Sequence, residues 1–292
     1  MRKISLFVLI SSLVLVRIVG QQTTSVELRG PDTLVLFGQK INQLYQHKQP
    51  GSIIRAQGGG VESALAQLAK GQIDIAQSHG ELRPDLIKGL LPIPIGAEAI
   101  VIYVNAANPI DELTVAQVRE IYTGEVLNWK QLGGADQRIA LYGGESTSSM
   151  NPYFAESILR GDTSFSYMGK PSTKGLLDAV ASHPDAIGFA GLGFSPNVKA
   201  LRIRANTGSK AIEPTFDSVR SLEYPISRYI YWYLAPQPRR VVKEFCEWML
   251  SSEGQLLVEG VGFQPLPMEK RLAARQRLGL PAIATTALQS AN

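Results

Sequence analysis

The chain has 292 residues, with 29 Lys and Arg against 25 Asp and Glu and 45% apolar side chains. That length accommodates two domains, and an apolar content near half with only 18% charged residues excludes disorder as the main state. A single cysteine, Cys246, excludes an internal disulfide framework and a multi-thiolate metal site.

Residues 1–21 have the anatomy of a secretory signal peptide: Met1-Arg2-Lys3, a 13-residue apolar run from Ile4 to Val16, then Arg17 and a small residue, Gly20. The run falls short of the ~20 residues that span a bilayer. Bulky Ile18 keeps an uncleaved N-terminal anchor open as the alternative. No cysteine lies near the cut, so lipid attachment there is not available, and a periplasmic or secreted protein is expected.

Val26–Leu28 and Ser52–Ala56 read as strands, each followed by turn chemistry, Gly30-Pro31 and Gly58-Gly59-Gly60. Between them, 33–47 has helical spacing, with Leu34, Phe37, Ile41, Leu44 and Tyr45 on one stripe. Asp32 is the expected N-cap. Val61–Lys70 reads as a helix closed by Gly71, and Ile73–Ala76 as a buried strand. This β-α-β-α-β order predicts parallel strands with helices on the faces. Further on, Ile100–Val104, Arg138–Tyr142 and Ala186–Ala190 read as strands. Thr114-Val-Ala-Gln117 is a capping box opening a helix to Tyr122. Pro152 suits the first position of a helix reaching Leu159, and Lys174–Ser182 is helical. Ile230–Leu234 is an aromatic-rich strand expected in the core. A long amphipathic helix runs to Leu250, a further one follows Gly254, and 268–292 reads as a basic, frayed tail.

The catalytic inventory is thin. His47, His79 and His183 are far apart and lack metal-ligand spacing, so no metal and no cofactor is expected. Cys246 reads as a core thiol beside Phe245 and Trp248. No G-x-S-x-G, P-loop or G-x-G-x-x-G occurs, and no enzyme activity is expected. Small polar residues do recur at helix starts, Asp32-Thr33-Leu34 and Ser148-Ser149-Met150-Asn151. Two such N-termini facing one cleft could hold an anion, although ordinary capping produces the same pattern.

Three phrases carry a more specific signal: VNAANPIDELTVAQVREIYTGEVLNW, HPDAIGFAGLGF, and YPISRYIYWYL leading into SSEGQLLVEGVGFQPLP. Together with GPDTLVLFGQKINQLY and IIRAQGGGVESALAQLAKGQIDIAQS, they resemble the phosphate-binding proteins of phosphate-specific ABC transporters over about residues 26–267. The resemblance implies the periplasmic-binding-protein fold: two α/β lobes with mixed, mainly parallel sheets, joined by crossover hinge strands. One lobe would comprise 22–104 with 224–267 and the other 105–223, with crossovers near Val104-Asn105 and Ser221–Tyr224. It implies capture of phosphate or a related oxyanion between the lobes, a permease partner, no nucleic acid, and a monomer.

Carried over residue by residue, the family's ligand contacts fall on Thr33 and Leu34, Ser78, Glu98 as the acidic acceptor for the anion's proton, and Ser148 and Ser149. The departures are Val61-Glu62 after the glycines, Met150 for a hydroxyl donor, and Gly144 and Asn151 at positions where the family has Arg. His79 follows Ser78 where the family often carries Arg. These losses leave open a related scaffold or signalling module without tight phosphate binding, or a binder of another small anion. The basic excess lies in the ends: residues 1–21 hold three basic residues and no acid, and 268–292 hold four against one. The body between them is weakly acidic, so an anion there must be held by local hydrogen bonds and dipoles.

Overall fold

The structure, a computed structural model, describes residues 24–145, 148, 150–161, 166–193 and 197–281. The expected signal peptide therefore lies outside the described residues. Two mixed five-stranded sheets, each covered by helices, form two lobes.

The first sheet takes β1 (Thr24–Arg29), β2 (Ser52–Gln57), β3 (Ile75–His79), β4 (Leu91–Ala99) and β12 (Ser227–Leu234), in the order β2-β1-β3-β12-β4. β1 runs parallel to β2 and β3, while β12 is antiparallel to both β3 and β4. The carboxyl ends of β1 to β4 and the start of β12 therefore share one edge, which faces the second lobe. The edge strand β4 carries Pro92 and Pro94. Proline removes a ladder donor, which an edge position tolerates; that composition hides the strand from a reading of the sequence.

The helices α1 (Val35–Lys48), α2 (Val61–Ala69), α7 (Arg240–Met249) and α8 (Ser252–Gly260) cover this sheet. Their apolar stripes meet the aromatic strand: Trp232 stacks on Phe245 at 5.0 Å, and Tyr45 packs edge-on against Phe245. Tyr229 to Tyr233 are all buried, as their alternation with β-branched and aromatic neighbours predicts, and so is Cys246.

The second sheet has the order β10-β5-β9-β7-β8, from β5 (Val101–Asn105), β7 (Ala140–Gly144), β8 (Met168–Lys170), β9 (Ala186–Ala190) and β10 (Val198–Ala200). The short parallel pair β6 (Glu112–Thr114) and β11 (Arg202–Arg204) stands beside it. Helices α3 (Val115–Thr123), α4 (Met150–Ser157) and α5 (Thr173–Ser182) complete the lobe, while the short α6 (Phe216–Arg220) packs on β4 and β12 of the first sheet. The capping box holds: Thr114 Oγ1 accepts from Gln117 N, and Gln117 Oε1 accepts from Thr114 N. Phe154 stacks face to face on Phe189 at 3.8 Å and anchors α4 to β9.

Four expectations need correction. The first crossover is not at Val104-Asn105: β5 already belongs to the second sheet, so the boundary expected after residue 104 falls inside a strand of the other lobe. The chain changes sheet at Ile100, whose N–H donates to Ile226 O on the returning crossover. Asp32 is not a side-chain cap, because a 3-10 turn over Asp32–Leu34 precedes α1; its carboxylate accepts from Gly59 N at 3.1 Å and ties two loops together. Pro152 is the third residue of α4 rather than the first. The expected frayed tail begins with a packed helix, α9 (Met268–Arg277), in which Arg271 and Arg275 are buried. Arg271 Nε caps the end of α7 through Leu250 O, and Arg275 pairs with Glu247. Charged heads satisfied by carbonyls and a carboxylate let long aliphatic stems act as core.

Candidate functional site

The shared strand edge of the first lobe collects the chemistry. Thr33 stands on the 3-10 turn after β1, His79 closes β3, Glu98 is the penultimate residue of β4, and Arg228 is the second residue of β12. Opposite them, α4 contributes Tyr153 and Glu156 from the second lobe. The register that pairs Arg228 with Glu98 across β12 and β4 brings a buried carboxylate and a guanidinium together.

These residues form one continuous chain of contacts. Thr33 Oγ1 lies 2.7 Å from His79 Nε2. His79 Nδ1–H donates to Glu98 Oε1 at 2.5 Å, and Arg228 Nε donates to the same oxygen at 2.6 Å. Arg228 then reaches across the lobes, with Nη1 2.9 Å from Glu156 Oε2 and its guanidinium 3.5 Å above the Tyr153 ring. The His79 and Glu98 side chains are only 11% and 2% exposed. Burial alone would raise the Glu98 carboxyl, but hydrogen bonds and charge from His79 and Arg228 outweigh it and hold the group below the usual range. Burial drives the Tyr153 hydroxyl far upward, so it stays a neutral phenol.

A cavity of about 370 Å³ opens beside this chain, lined by His79, Gly80, Arg228, Tyr153, Glu156 and Ser157. A second, of about 360 Å³, lies between the starts of α4 and α5 and the Val261–Phe263 turn, and contains Gly144, Ser148 and Lys170.

The sequence-derived candidates are distributed unevenly over this geometry. Thr33 and Glu98 join through His79. Leu34 is fully buried in the core, and its N–H donates to Pro31 O. Ser78 is buried as well, and its hydroxyl lies within hydrogen-bond reach of the His79 and Gly80 carbonyls, shaping the turn that presents His79. Ser148 lies in the opposite lobe, where its Oγ accepts from Met150 N at 3.3 Å at the start of α4. Ser149 lies outside the described residues. The substitutions at 144 and 151 have a packing reason. A Cβ at Gly144 would come within 2.4 Å of Ser148, and Asn151 Nδ2 donates to Gly144 O and Glu145 O, bracing the loop.

Arg228, Tyr153 and Glu156 were not legible as site residues. The one available signal was a lone arginine inside the buried aromatic run SRYIYWYL, since an unpaired charge there is prohibitively costly. The order Thr33–His79–Glu98 has the spacing of a nucleophile, base and orienting acid. Arg228, however, occupies the same carboxylate oxygen that would stabilise an imidazolium and lowers its basicity. The arrangement instead leaves a hydroxyl and an imidazole beside a guanidinium already paired with Glu98 and Glu156. Among the described residues, no group of three or more His, Cys, Asp or Glu could hold a metal ion.

Two α/β lobes meeting over a polar cleft define a solute-binding protein of the two-lobed type. The chain belongs to the PBP superfamily, whose domain model matches residues 34–253. It is 26% identical over 277 residues to the phosphate-binding protein PstS of Pseudomonas aeruginosa, covering 86% of each chain. Its backbone matches that of a possible phosphate binding protein from Planctomyces limnophilus with a TM-score of 0.79 at 22% identity, over 88% of this chain and 98% of that one. It also matches an ABC-type phosphate transport receptor from Vibrio cholerae with a TM-score of 0.71 at 24% identity, over 84% and 100%. At these identities the structural likenesses establish the fold.

Proposed function

We propose that this protein captures phosphate, or an oxyanion of the same shape, between its lobes and delivers it to an ABC-type permease. The observation that carries this reading is the Thr33–His79–Glu98–Arg228 chain on the strand edge, continued to Glu156 and Tyr153 of the other lobe. Such a chain couples the ligand-facing groups to lobe closure about the paired crossovers at Ile100 and Ile226. The similarity to proteins named as phosphate-binding agrees with it. The same reading makes the protein a binder rather than an enzyme, exported by residues 1–21 and acting as a monomer; no helix among the described residues is long and apolar enough to cross a membrane.

Thr33 is the ligand-facing hydroxyl of the first lobe, with Ser148 its counterpart in the second. The test is calorimetric titration of the purified protein with phosphate. Saturable binding is expected, weakened about tenfold or more in Thr33→Val, the cost of one hydrogen bond to a charged group. No heat and no thermal shift at millimolar phosphate would overturn the reading.

A further inference from the structure

Two cavities flank one turn in the cleft. The cavity that holds Ser148 also takes in Lys170 from β8, Met150 from α4 and the Val261–Phe263 turn of the first lobe. On the other side of that turn, a cavity of about 630 Å³ is lined by Thr33, Phe37, Lys40 and the same Val261 and Phe263. The hydroxyls of the two lobes therefore stand on either side of an apolar wall. The wall is firmly built into the first lobe. Phe263 packs edge-on against Phe37 at 5.1 Å, Gly262 turns the chain at a φ of 91°, and Gln264 exchanges backbone hydrogen bonds with Ala97 of β4. Even so, Val261, Phe263 and Met150 stay partly exposed, and all three line the cavity.

Lys170 gives this cavity its positive charge. Its ammonium lies 5.3 Å from the centre of the Tyr142 ring, and no carboxylate pairs with it among the described residues. Glu145, the acid of the same lining, is exposed. Arg228, by contrast, is bonded to Glu98 and Glu156. Lys170 is thus free to neutralise a bound anion in a body that is otherwise weakly acidic.

We propose that the cleft takes a tetrahedral oxyanion bearing one apolar substituent, an R–PO3 group such as an alkyl or aryl phosphonate or a phosphate monoester. This rests on the oxyanion reading above and names its ligand class. A bare phosphate is polar on every side and gains nothing from Met150, Val261 and Phe263. A substituent covers them and removes apolar area from water on both partners. At about 360 Å³ the cavity falls within the range of small-molecule sites and has room for such a group beside the oxyanion. The oxyanion keeps its hydroxyl partners and gains a charge-assisted hydrogen bond from Lys170 Nζ, while the substituent lies along the Val261–Phe263 turn. Met150, unbranched and polarisable, adapts to substituents of differing shape.

The test is calorimetric titration of the purified protein with phosphate and with methyl-, propyl- and phenylphosphonate, at one alkaline pH where all four are chiefly dianions. Affinity should rise about tenfold from methyl- to propylphosphonate, the effect of two buried methylenes. Met150→Ser and Val261→Ser should each lower the propylphosphonate-to-phosphate affinity ratio about threefold or more. Lys170→Gln should weaken phosphate and phosphonates alike by about tenfold, the effect of one charged hydrogen bond. Thermal melts establish that each variant is folded, and the wild-type series decides if one is not. Three results would each overturn this ligand class and leave the oxyanion reading standing: phosphate binding with phosphonates excluded or no tighter as the chain lengthens, a ratio indifferent to both serine variants, or an unchanged affinity in Lys170→Gln. Absence of binding by phosphate and by every phosphonate overturns the two together.

Discussion

Replacing Arg228 with Met removes three contacts at once, and their unequal surroundings set the expected cost. The bond to Glu156 joins the guanidinium to a carboxylate that is 73% exposed, so it contributes no more than a few tenths of a kcal/mol. Stacking on Tyr153 at 3.5 Å contributes about 1 kcal/mol in a desolvated setting. The largest part is the orphaning of Glu98, a buried carboxylate that keeps only His79. Breaking a fully buried pair costs about 3–5 kcal/mol, and the surviving histidine bond brings this to roughly 2 kcal/mol. The sum, about 3 kcal/mol, corresponds to a fall in melting temperature of roughly 5 °C for a chain of this size. Thermal and urea unfolding followed by circular dichroism would measure it. Arg228→Met combined with Glu98→Gln removes the unpaired charge and should recover about 1–2 kcal/mol. A single-variant loss below about 0.5 kcal/mol, or a double variant less stable than Arg228→Met, would refute the idea that Arg228 compensates a buried charge.

The remaining predictions concern the same edge. Because the Glu98 carboxyl is held below its ordinary value of 4.5, its stabilising contribution is complete above that value. It is lost as pH falls from there through the depressed folded value, since the unfolded chain takes up the proton first. Urea midpoints of the wild type should therefore drop on acidification in that window more steeply than those of Glu98→Gln; parallel profiles would contradict the assignment. At Gly30 a Cβ would lie 2.6 Å from the backbone oxygen of Gln77. Gly30→Ala should thus cost about 1–3 kcal/mol and weaken phosphate binding by displacing Thr33, three residues on. A change within about 0.5 kcal/mol would show that β1 and β3 can separate without cost.

Much of the architecture was legible in the sequence, and the parts that were share a physical cause. The strand–helix alternation of 26–76, the capping box at Thr114 and the buried strand at Ala186–Ala190 are local patterns: period, cap chemistry and composition act within one or two turns of chain. β4 was hidden because its prolines contradict strand propensity, and they are tolerated only by its place at the sheet edge. α9 was hidden for a similar reason. Its basic residues read as solvated, while the end of α7 and Glu247 supply the partners that bury Arg271 and Arg275.

The candidate site divides the same way. From the residues alone came the polar helix starts at Thr33 and at Ser148-Ser149, which could hold an anion or merely cap; Glu98 came only with the family resemblance. What no linear pattern contains is that the β12–β4 register sets Arg228 against Glu98, 130 positions away. That pairing, with the bond from His79 to the same oxygen, satisfies the carboxylate. Local sequence determined which polar groups stand at the ends of strands and helices. Only the tertiary structure decided which of them remain unspent, because a buried charge is defined by the partners the fold brings to it.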